Sequence, residues 1–375
     1  MGFYELYRKY KDFNFDNYLA NVTTDDVYRT LKKPIRNPLD FLTLLSPAAS
    51  SPETLETMAQ IANKLTESYF GKTITLFTPL YLANVCDNGC LYCGFNKNNT
   101  VKRAILTPFE VELEGQAIRD QGFRHIIILT GESRRATPPD YMADCVRILK
   151  KYVDSISIEV YSLNEEEYKM LFDAGVDGFT MFQETYNEDI FPILHPIGEK
   201  SNYRRRLDSP ELACKAHYNN VNLGALLGLD DWRKDTFFTG LHAMYLQDKY
   251  PGTDIAVSLP RICEHEGDKS FRVHSTVSDI DLVQALVAYR IFIPRLGITL
   301  STREPALLRD KLIGLGVTKM SAGSVTEVGG HGEKAKSEGQ FEITDTRSVD
   351  EMILAIKSRG YQPILKDWEP LRRDS

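Results

Sequence analysis

Short runs of apolar and β-branched residues alternate with longer amphipathic segments from about residue 75 onwards. Buried parallel strands typically appear as continuous apolar runs of this kind, because both of their faces are covered. The pattern predicts eight strands, at Ile74–Leu82, His125–Thr130, Ser155–Val160, Gly178–Phe182, Val221–Leu226, Asp254–Leu259, Gly297–Ser301 and Val317–Ser321.

Each predicted strand is followed by a segment with apolar residues at three- and four-residue spacing, which is typical of an amphipathic helix. Thr107-Pro108 and Ser209-Pro210 each place a capping residue before a proline, so both are predicted to begin helices. The predicted helices span residues 108–122, 139–152, 164–174, 208–218, 234–249, 279–295, 304–314 and 348–359.

Eight alternating strand–helix units predict an α/β protein with a closed (β/α)8 barrel of the TIM type. The chain before the barrel has a different pattern, in which the apolar spacing of residues 40–45 and 52–69 predicts helices. We therefore expect an N-terminal helical extension at 1–70, the barrel at 71–360, and a C-terminal tail at 361–375 that packs on the barrel.

Composition and charge narrow the class of partner. The chain is 42% hydrophobic with a net charge of −7, and its charges are interspersed without a basic stripe, which gives no support to nucleic-acid binding. No apolar run approaches the roughly 18 residues of a membrane span. Because the N-terminus also lacks an export signal, the six cysteines indicate a reducing cytoplasm.

Three of these cysteines, Cys86, Cys90 and Cys93, lie within eight residues in the spacing C-x3-C-x2-C. A [4Fe–4S] cluster normally has four cysteine ligands, so three thiolates on one loop would leave one iron open to another ligand. A structural zinc site would need a second ligand pair, which is absent from the sequence. The loop therefore predicts a cluster that takes part in chemistry.

The other cysteines and two histidines are weaker candidates. Cys145 and Cys214 lie within predicted helices, where a small buried side chain is the ordinary interpretation. Cys263 follows a predicted strand end, so it is a candidate for a fourth cluster ligand. His195 and His265 are candidates to face the site.

Polar residues gather at the C-terminal ends of the predicted strands, where TIM barrels carry their active sites. A charge at the end of an apolar strand is costly unless it is paired, so these residues predict a ligand-binding mouth. They occur in Thr130-Gly131-Glu132, Glu159, Gln183-Glu184-Thr185-Tyr186, Ser258-Leu259-Pro260-Arg261, Ser301-Thr302-Arg303-Glu304 and Ser321-Ala322-Gly323-Ser324.

The cysteine motif, with Tyr92 before its last cysteine, resembles the radical S-adenosylmethionine (SAM) superfamily. Finer motifs over about residues 35–370 are similar to the 2-iminoacetate synthase family, the tyrosine lyases of thiamin thiazole biosynthesis. These motifs are Leu45-Ser46-Pro47-Ala48-Ala49-Ser50, Pro79-Leu80-Tyr81, Tyr92-Cys93-Gly94-Phe95, Gln183-Glu184-Thr185-Tyr186, Asn222-Leu223-Gly224-Ala225-Leu226-Leu227-Gly228-Leu229, Ser301-Thr302-Arg303-Glu304 and Lys366-Asp367-Trp368.

The resemblance implies a reaction and its cofactors. A [4Fe–4S] cluster would cleave SAM reductively to methionine and 5′-deoxyadenosine, and the Cα–Cβ bond of L-tyrosine would break to give 2-iminoacetate (dehydroglycine) and p-cresol. The alternative is a related lyase for another aromatic amino acid, similar to the tryptophan lyase of peptide-antibiotic synthesis or to the tyrosine lyase of hydrogenase maturation. The latter has further C-terminal cysteines, whereas no cysteine follows Cys263 here.

The resemblance also implies roles for individual residues on the cofactor side. Cys86, Cys90 and Cys93 would bind the cluster. The set expected to bind SAM is Gly131 and Glu132 at its amino group, Glu159 at its ribose, Arg206 at its carboxylate and Tyr92 beside the cluster. Because Arg204 and Arg205 adjoin Arg206, the position of the carboxylate partner stays open by one or two residues.

On the substrate side, Arg303 is expected to bind the tyrosine carboxylate, since arginine offers a bidentate fork. Its alternative is a structural ion pair with Glu304 or Asp310. Tyr81 would lie beside the substrate, and Ser321 would bind its amino group. The implied partners are a thiazole synthase, to receive a product that hydrolyses readily, and a flavodoxin- or ferredoxin-type reductant.

Overall fold

Parallel strands follow one another in sequence order around a closed barrel in this computed structural model, which describes residues 2–262, 271–332 and 334–366. Each strand pairs with the next, and β1 closes the barrel by pairing with both β2 and β8. The strands are β1 (Thr73–Ala83), β2 (His125–Thr130), β3 (Ser155–Glu159), β4 (Gly178–Glu184), β5 (Asn220–Ala225), β6 (Asp254–Ser258), β7 (Gly297–Leu300), β8 (Lys319–Ser321) and β9 (Gln362–Ile364).

The predicted (β/α)8 fold is confirmed, and all eight barrel strands lie within two residues of their predicted bounds. The short strand β9 was not predicted. It pairs in parallel with Thr73–Thr75 at the start of β1, and the Leu365 carbonyl accepts a hydrogen bond from the backbone of Arg124, just before β2. The chain after the last barrel helix therefore covers the N-terminal end of the barrel between β1 and β2.

Helices surround the barrel and precede it. The N-terminal segment forms α1 to α5, so the helices predicted there are confirmed. The helices are α1 (Phe3–Tyr7), α2 (Phe15–Asn21), α3 (Thr24–Leu31), α4 (Pro38–Leu44), α5 (Pro52–Phe70), α6 (Pro108–Asp120), α7 (Pro139–Leu149), α8 (Glu165–Ala174), α9 (Phe191–Leu194), α10 (Tyr203–Lys215), α11 (Trp232–Lys249), α12 (Asp279–Phe292), α13 (Ala306–Leu312) and α14 (Val349–Ser358), with 3₁₀ turns at Pro47–Ser50 and Glu199–Ser201.

One of the two predicted helix starts is wrong. Thr107 does cap α6, with a reciprocal capping box to Glu110, but Pro210 lies inside α10. That helix begins at Asn202 instead, whose side chain accepts a hydrogen bond from the Arg205 backbone. A capping asparagine seven residues earlier decides the boundary, and the earlier start brings Arg206 into the first two turns of the helix.

The N-terminal helices share one hydrophobic core with the barrel helices. Phe41 of α4 stacks on Phe292 of α12 with ring centroids 4.4 Å apart. Gly240 of α11 makes this packing feasible, since a Cβ there would lie 2.4 Å from the Phe41 ring. Within the described parts of the chain, no helix is long and apolar enough to cross a membrane.

Candidate active site

A cavity of about 220 Å³ opens at the C-terminal ends of the barrel strands. The strand register places Tyr81 of β1, Leu129 of β2 and Glu159 of β3 at one level of its wall. Every residue to which the resemblance gave a cofactor or substrate role lines this cavity. The set is Tyr81, Cys86, Cys90, Tyr92, Cys93, Gly131, Glu132, Glu159, Arg206, Arg303 and Ser321.

The cysteine loop is held in shape by side chains that follow it. Asn96 donates from Nδ2 to the Cys90 carbonyl at 2.9 Å, and Arg103 donates to the carbonyls of Phe95 at 3.0 Å and Asn84 at 2.7 Å. Buried backbone carbonyls need such partners. These contacts hold an irregular loop in one conformation, with Cys86, Cys90 and Cys93 as free thiols.

The loop fits a cluster with three cysteine ligands. Burial raises the pKa of Cys86 to about 11 and raises that of Cys90 as well, so these thiols need the charge of bound iron to ionise. Among the described residues, no three His, Cys, Asp or Glu side chains converge on a single metal ion. Thiolates that each bind a different iron of one cluster are spread wider than the ligands of one ion.

The end of β2 is packed directly against this loop. A Cβ on Gly131 would lie 2.3 Å from the Val85 carbonyl oxygen, so only glycine permits the approach. The next residue, Glu132, accepts from Asn88 Nδ2 at 2.9 Å and from the Asp87 backbone at 3.0 Å. The glycine–glutamate pair therefore sets the position of the cysteine loop.

Two acidic and two basic side chains form a charged cluster in the cavity wall beside the cysteines. Arg206 lies 3.0 Å from Glu132 and 3.3 Å from Glu184, and Lys200 lies 2.6 Å from Glu184 and 3.7 Å from Glu132. Burial alone would raise the pKa of both carboxyls, but the two cations hold each pKa below its usual range. Glu132 and Glu184 are therefore both ionised, and their charges are balanced by those of Lys200 and Arg206.

Only part of this charged cluster was predicted. Glu184 lies in a motif noted at the end of a strand, but it received no role. Lys200 was missed because it lies in a 3₁₀ turn between α9 and α10, where no periodic pattern marks it. Of the adjacent arginines, Arg206 lines the cavity, whereas Arg204 stacks on Tyr4 and Arg205 donates to the Ser162 carbonyl.

Tyr92 connects the cysteine loop to a buried histidine. Its hydroxyl lies 2.7 Å from Nε2 of His195, whose Nδ1 lies 2.7 Å from the Phe191 carbonyl. Burial lowers the pKa of His195 to about 2, so the ring is neutral. Since a carbonyl only accepts, Nδ1 carries the proton and Nε2 accepts from Tyr92. His195 thus reaches the site through Tyr92, without lining the cavity.

Arg303 extends into the cavity from the loop after β7. Its guanidinium lies over the ring of Phe341 at 3.5 Å, and no carboxylate of the described residues lies within 4 Å of it. The two acids considered as structural partners are engaged elsewhere: Glu304 pairs with Arg261, and Asp310 pairs with Arg347 at 2.9 Å. The charge of Arg303 is therefore available to a ligand.

Tyr81 and Ser321 are both held by neighbours in the mouth. The Tyr81 hydroxyl donates to Oε1 of Gln340 at 2.6 Å, and burial raises the pKa of this hydroxyl well above its usual range. Ser321 Oγ accepts from the Thr302 backbone at 3.1 Å. Gln340 was not predicted, because it lies in a long polar segment after β8.

The glycine-rich loop after β8, Gly329-Gly330-His331-Gly332, is anchored to α6. The buried carboxylate of Glu114 accepts backbone hydrogen bonds from Gly330, His331 and Gly332, at 2.8 to 3.2 Å. Cys145 and Cys214 are buried within α7 and α10, and Cys263 and His265 lie outside the described residues.

Glu159 is a cavity carboxyl whose pKa is raised close to neutral pH. Burial, and then the charge of Glu184, raise the pKa of Glu159 from 4.5 to about 7. The folded state therefore binds a proton that the unfolded state has already released, so stability is lost as the pH rises from about 4.5 through 7.

We expect Glu159→Gln to remove this loss of folding stability at high pH. The SAM-free variant should be more stable than the parent at pH 8 by up to roughly 3 kcal/mol, and nearly equal to it at pH 5. Unfolding midpoints measured at both pH values test this, with the exposed residue Glu53 changed to Gln as control. Parallel pH profiles for parent and Glu159→Gln would contradict it.

Comparison with known proteins agrees with this geometry. Residues 80–239 match the Radical SAM superfamily, and residues 258–362 match the Biotin and Thiamin Synthesis associated domain. The chain is 36% identical to 2-iminoacetate synthase of Escherichia coli (strain K12) over 348 residues, which cover 92% of this chain and 91% of the relative. The Salmonella typhimurium 2-iminoacetate synthase matches equally well.

Solved structures show the same fold. The crystal structure of HydG, a maturase of the [FeFe]-hydrogenase, superposes with a TM-score of 0.86 at 29% identity, covering 94% of this chain and 79% of that one. Methylornithine synthase (PylB) superposes with a TM-score of 0.71 at 21% identity, covering 90% of this chain and 97% of that one, a likeness in fold alone.

A parallel barrel with a three-cysteine loop at its mouth, a glycine–glutamate pair packed on that loop and a charged cavity beside it defines a radical SAM enzyme, with a [4Fe–4S] cluster and SAM as its cofactors. Within that class the chain belongs to the 2-iminoacetate synthase family, and it is a lyase.

Proposed function

We propose that this chain cleaves the Cα–Cβ bond of L-tyrosine at the barrel mouth, giving 2-iminoacetate for the thiazole of thiamin together with p-cresol. The observation that carries the proposal is Arg303. It is a cation in the cavity wall with no carboxylate of the described residues within 4 Å, whereas the cations beside the cysteine loop are paired with acids. An amino-acid carboxylate supplies the missing partner.

The cysteine side of the cavity would hold the cofactors. Cys86, Cys90 and Cys93 would bind the cluster, which together with SAM supplies a 5′-deoxyadenosyl radical. Glu132 is ionised, which suits it to accept hydrogen bonds from the amino group of SAM. Arg206 already binds Glu132 and Glu184, so a SAM carboxylate would join an existing charge network beside it.

Further along the wall, Glu159 would accept hydrogen bonds from the ribose hydroxyls of SAM. Burial raises the pKa of Glu159 to about 7 in the SAM-free cavity, so this carboxyl is close to half-ionised at neutral pH before SAM binds. Tyr92 would lie against the cluster, with its hydroxyl turned away towards His195, and Gly131 would let β2 approach the loop.

On the opposite wall, Arg303 would bind the substrate carboxylate through its fork, with Phe341 supporting the face of the guanidinium. Ser321 Oγ, which accepts from the Thr302 backbone, has its O–H left to donate to the substrate amine nitrogen. The amine hydrogen atom would pass to C5′ of the SAM-derived radical, giving 5′-deoxyadenosine. The Cα–Cβ bond would then break homolytically, and the 4-hydroxybenzyl fragment would take up one electron from the reductant and one proton to become p-cresol. The apolar wall formed by Tyr81, Phe95 and Leu129 limits access of water to the reacting carbon.

The same proposal covers organisation and partners. Residues 1–70 would serve as an extension that buttresses the catalytic barrel at 71–360, and residues 361–375 as a tail against it. A thiazole synthase would receive the product, because dehydroglycine hydrolyses readily in water. A flavodoxin- or ferredoxin-type protein in the cytoplasm would supply the electron.

The test is a product assay. Anaerobically reconstituted protein with SAM, reductant and tyrosine should give p-cresol and 5′-deoxyadenosine, whereas tryptophan in place of tyrosine should give no cleaved indole product. Formation of 5′-deoxyadenosine without p-cresol would show that tyrosine is the wrong substrate.

A further inference from the structure

The segment after β8 crosses the barrel mouth as a strap, here residues 338–345. Backbone hydrogen bonds fasten it at two places, from Gln340 to the Thr326 carbonyl at 3.3 Å and from Thr344 to the Thr302 carbonyl at 3.0 Å. Near its start, the Glu338 carboxylate accepts from the backbone of Lys102 at 2.8 Å. The strap is thus fastened to the loops after β1, β7 and β8.

Gln340 uses both ends of its amide in the cavity wall. Oε1 accepts from the Tyr81 hydroxyl at 2.6 Å, and Nε2 donates to the Cys93 sulfur at 3.7 Å. The backbone adds a third contact, because a Cβ on Gly94 would lie 2.6 Å from the Gln340 carbonyl oxygen. One side chain therefore joins a substrate-facing tyrosine to a cluster ligand.

Phe341, the next residue of the strap, contacts Arg303, the other side chain proposed to bind the substrate. The ring of Phe341 lies 3.5 Å from the guanidinium carbon of Arg303, and its carbonyl accepts from Thr326 Oγ1 at 3.3 Å. Consecutive strap residues thus hold Tyr81 and Arg303 at defined positions relative to Cys93.

We propose that Gln340 is a positioning residue that couples the substrate side of the cavity to the cluster. Resting on the proposed function, it fixes Tyr81 beside tyrosine through Oε1 and stabilises the reduced cluster through its N–H···S bond to Cys93. A hydrogen bond to a ligand sulfur favours the more negative oxidation state, so it raises the reduction potential.

Gln340→Met removes both hydrogen bonds with little change in volume. We expect the cluster of this variant to have a lower midpoint potential than the parent, measured by an EPR-monitored redox titration without SAM or tyrosine. Because Tyr81 is released, KM for tyrosine should rise roughly tenfold or more, with KM for SAM unchanged. Gln60→Met, at an exposed glutamine on α5, is the matched control and should match the parent.

The proposal is overturned if Gln340→Met keeps the parent's midpoint potential or its KM for tyrosine. Should this variant fail to take up iron, Gln340→Leu decides: it removes the N–H···S donor without adding a charge beside the cluster, so its potential should fall. An unchanged potential in that variant also overturns the proposal. Absence of p-cresol from the parent enzyme would refute the tyrosine assignment alone, since the potential measurement needs no substrate.

Discussion

Replacing Cys90 by alanine is expected to reduce SAM cleavage to the background seen without enzyme. Cys90 is buried at 4% exposure in the cavity wall, and it lies between the other two cysteines of the loop. With only two thiolates, two of the four irons of a cubane would lack a protein ligand, and the cluster would not be retained. Iron content, the visible absorbance of the cluster and 5′-deoxyadenosine production should therefore be lost together.

The controls are the other buried cysteines. Cys145→Ala and Cys214→Ala change thiols inside α7 and α10, so these variants should keep the iron–sulfur absorbance and SAM cleavage of the parent. If Cys90→Ala still cleaves SAM, the cluster is not held by this loop. If either control loses its cluster, the loop is not its sole source of cysteine ligands.

Replacing Arg303 is expected to have the second largest effect, and to act on the substrate alone. Arg303→Ala removes the fork proposed to hold the tyrosine carboxylate, so kcat/KM for tyrosine should fall by roughly 10²-fold, which corresponds to about 3 kcal/mol for losing one partner of a desolvated charge pair. Arg303→Lys should recover only part of this, because a point charge cannot bind both carboxylate oxygens in the same way.

The amount of p-cresol formed per 5′-deoxyadenosine separates a loss of substrate binding from a loss of folding. Arg303→Ala should keep its cluster and still cleave SAM, with less p-cresol formed per 5′-deoxyadenosine. Arg295→Ala, at an exposed position before β7, should behave as the parent. A kcat/KM within threefold of the parent for Arg303→Ala would mean that the tyrosine carboxylate is bound elsewhere.

The barrel was predictable because its strands are buried on both faces. Strand β2, for example, carries a continuous run of apolar residues, so it is recognisable without its neighbours. The short strand β9 has no such signal, since three residues at a barrel end are ordered by pairing with β1. The misplaced start of α10 came from a proline that the helix tolerates inside its second half.

The site was predictable where its residues lie at strand ends and unpredictable where they lie in connecting loops. Glu132, Glu159 and Arg303 lie within three residues of the end of an apolar run, so position marked them as mouth residues and the family resemblance gave them roles. Lys200 and Gln340 occupy irregular segments in which neither periodicity nor spacing assigns a direction to a side chain.

The sequence by itself determined the eight-unit barrel and the radical SAM class, because strand burial and the spacing of three cysteines are local properties of the chain. Only the tertiary structure decided which of three adjacent arginines faces the cavity, and that Glu304 is bound by Arg261, leaving Arg303 to a ligand. The contact between Tyr81 and Gln340 joins residues 259 positions apart. Such pairings exist only because barrel closure brings distant loops to one rim, and no local pattern in the chain encodes them.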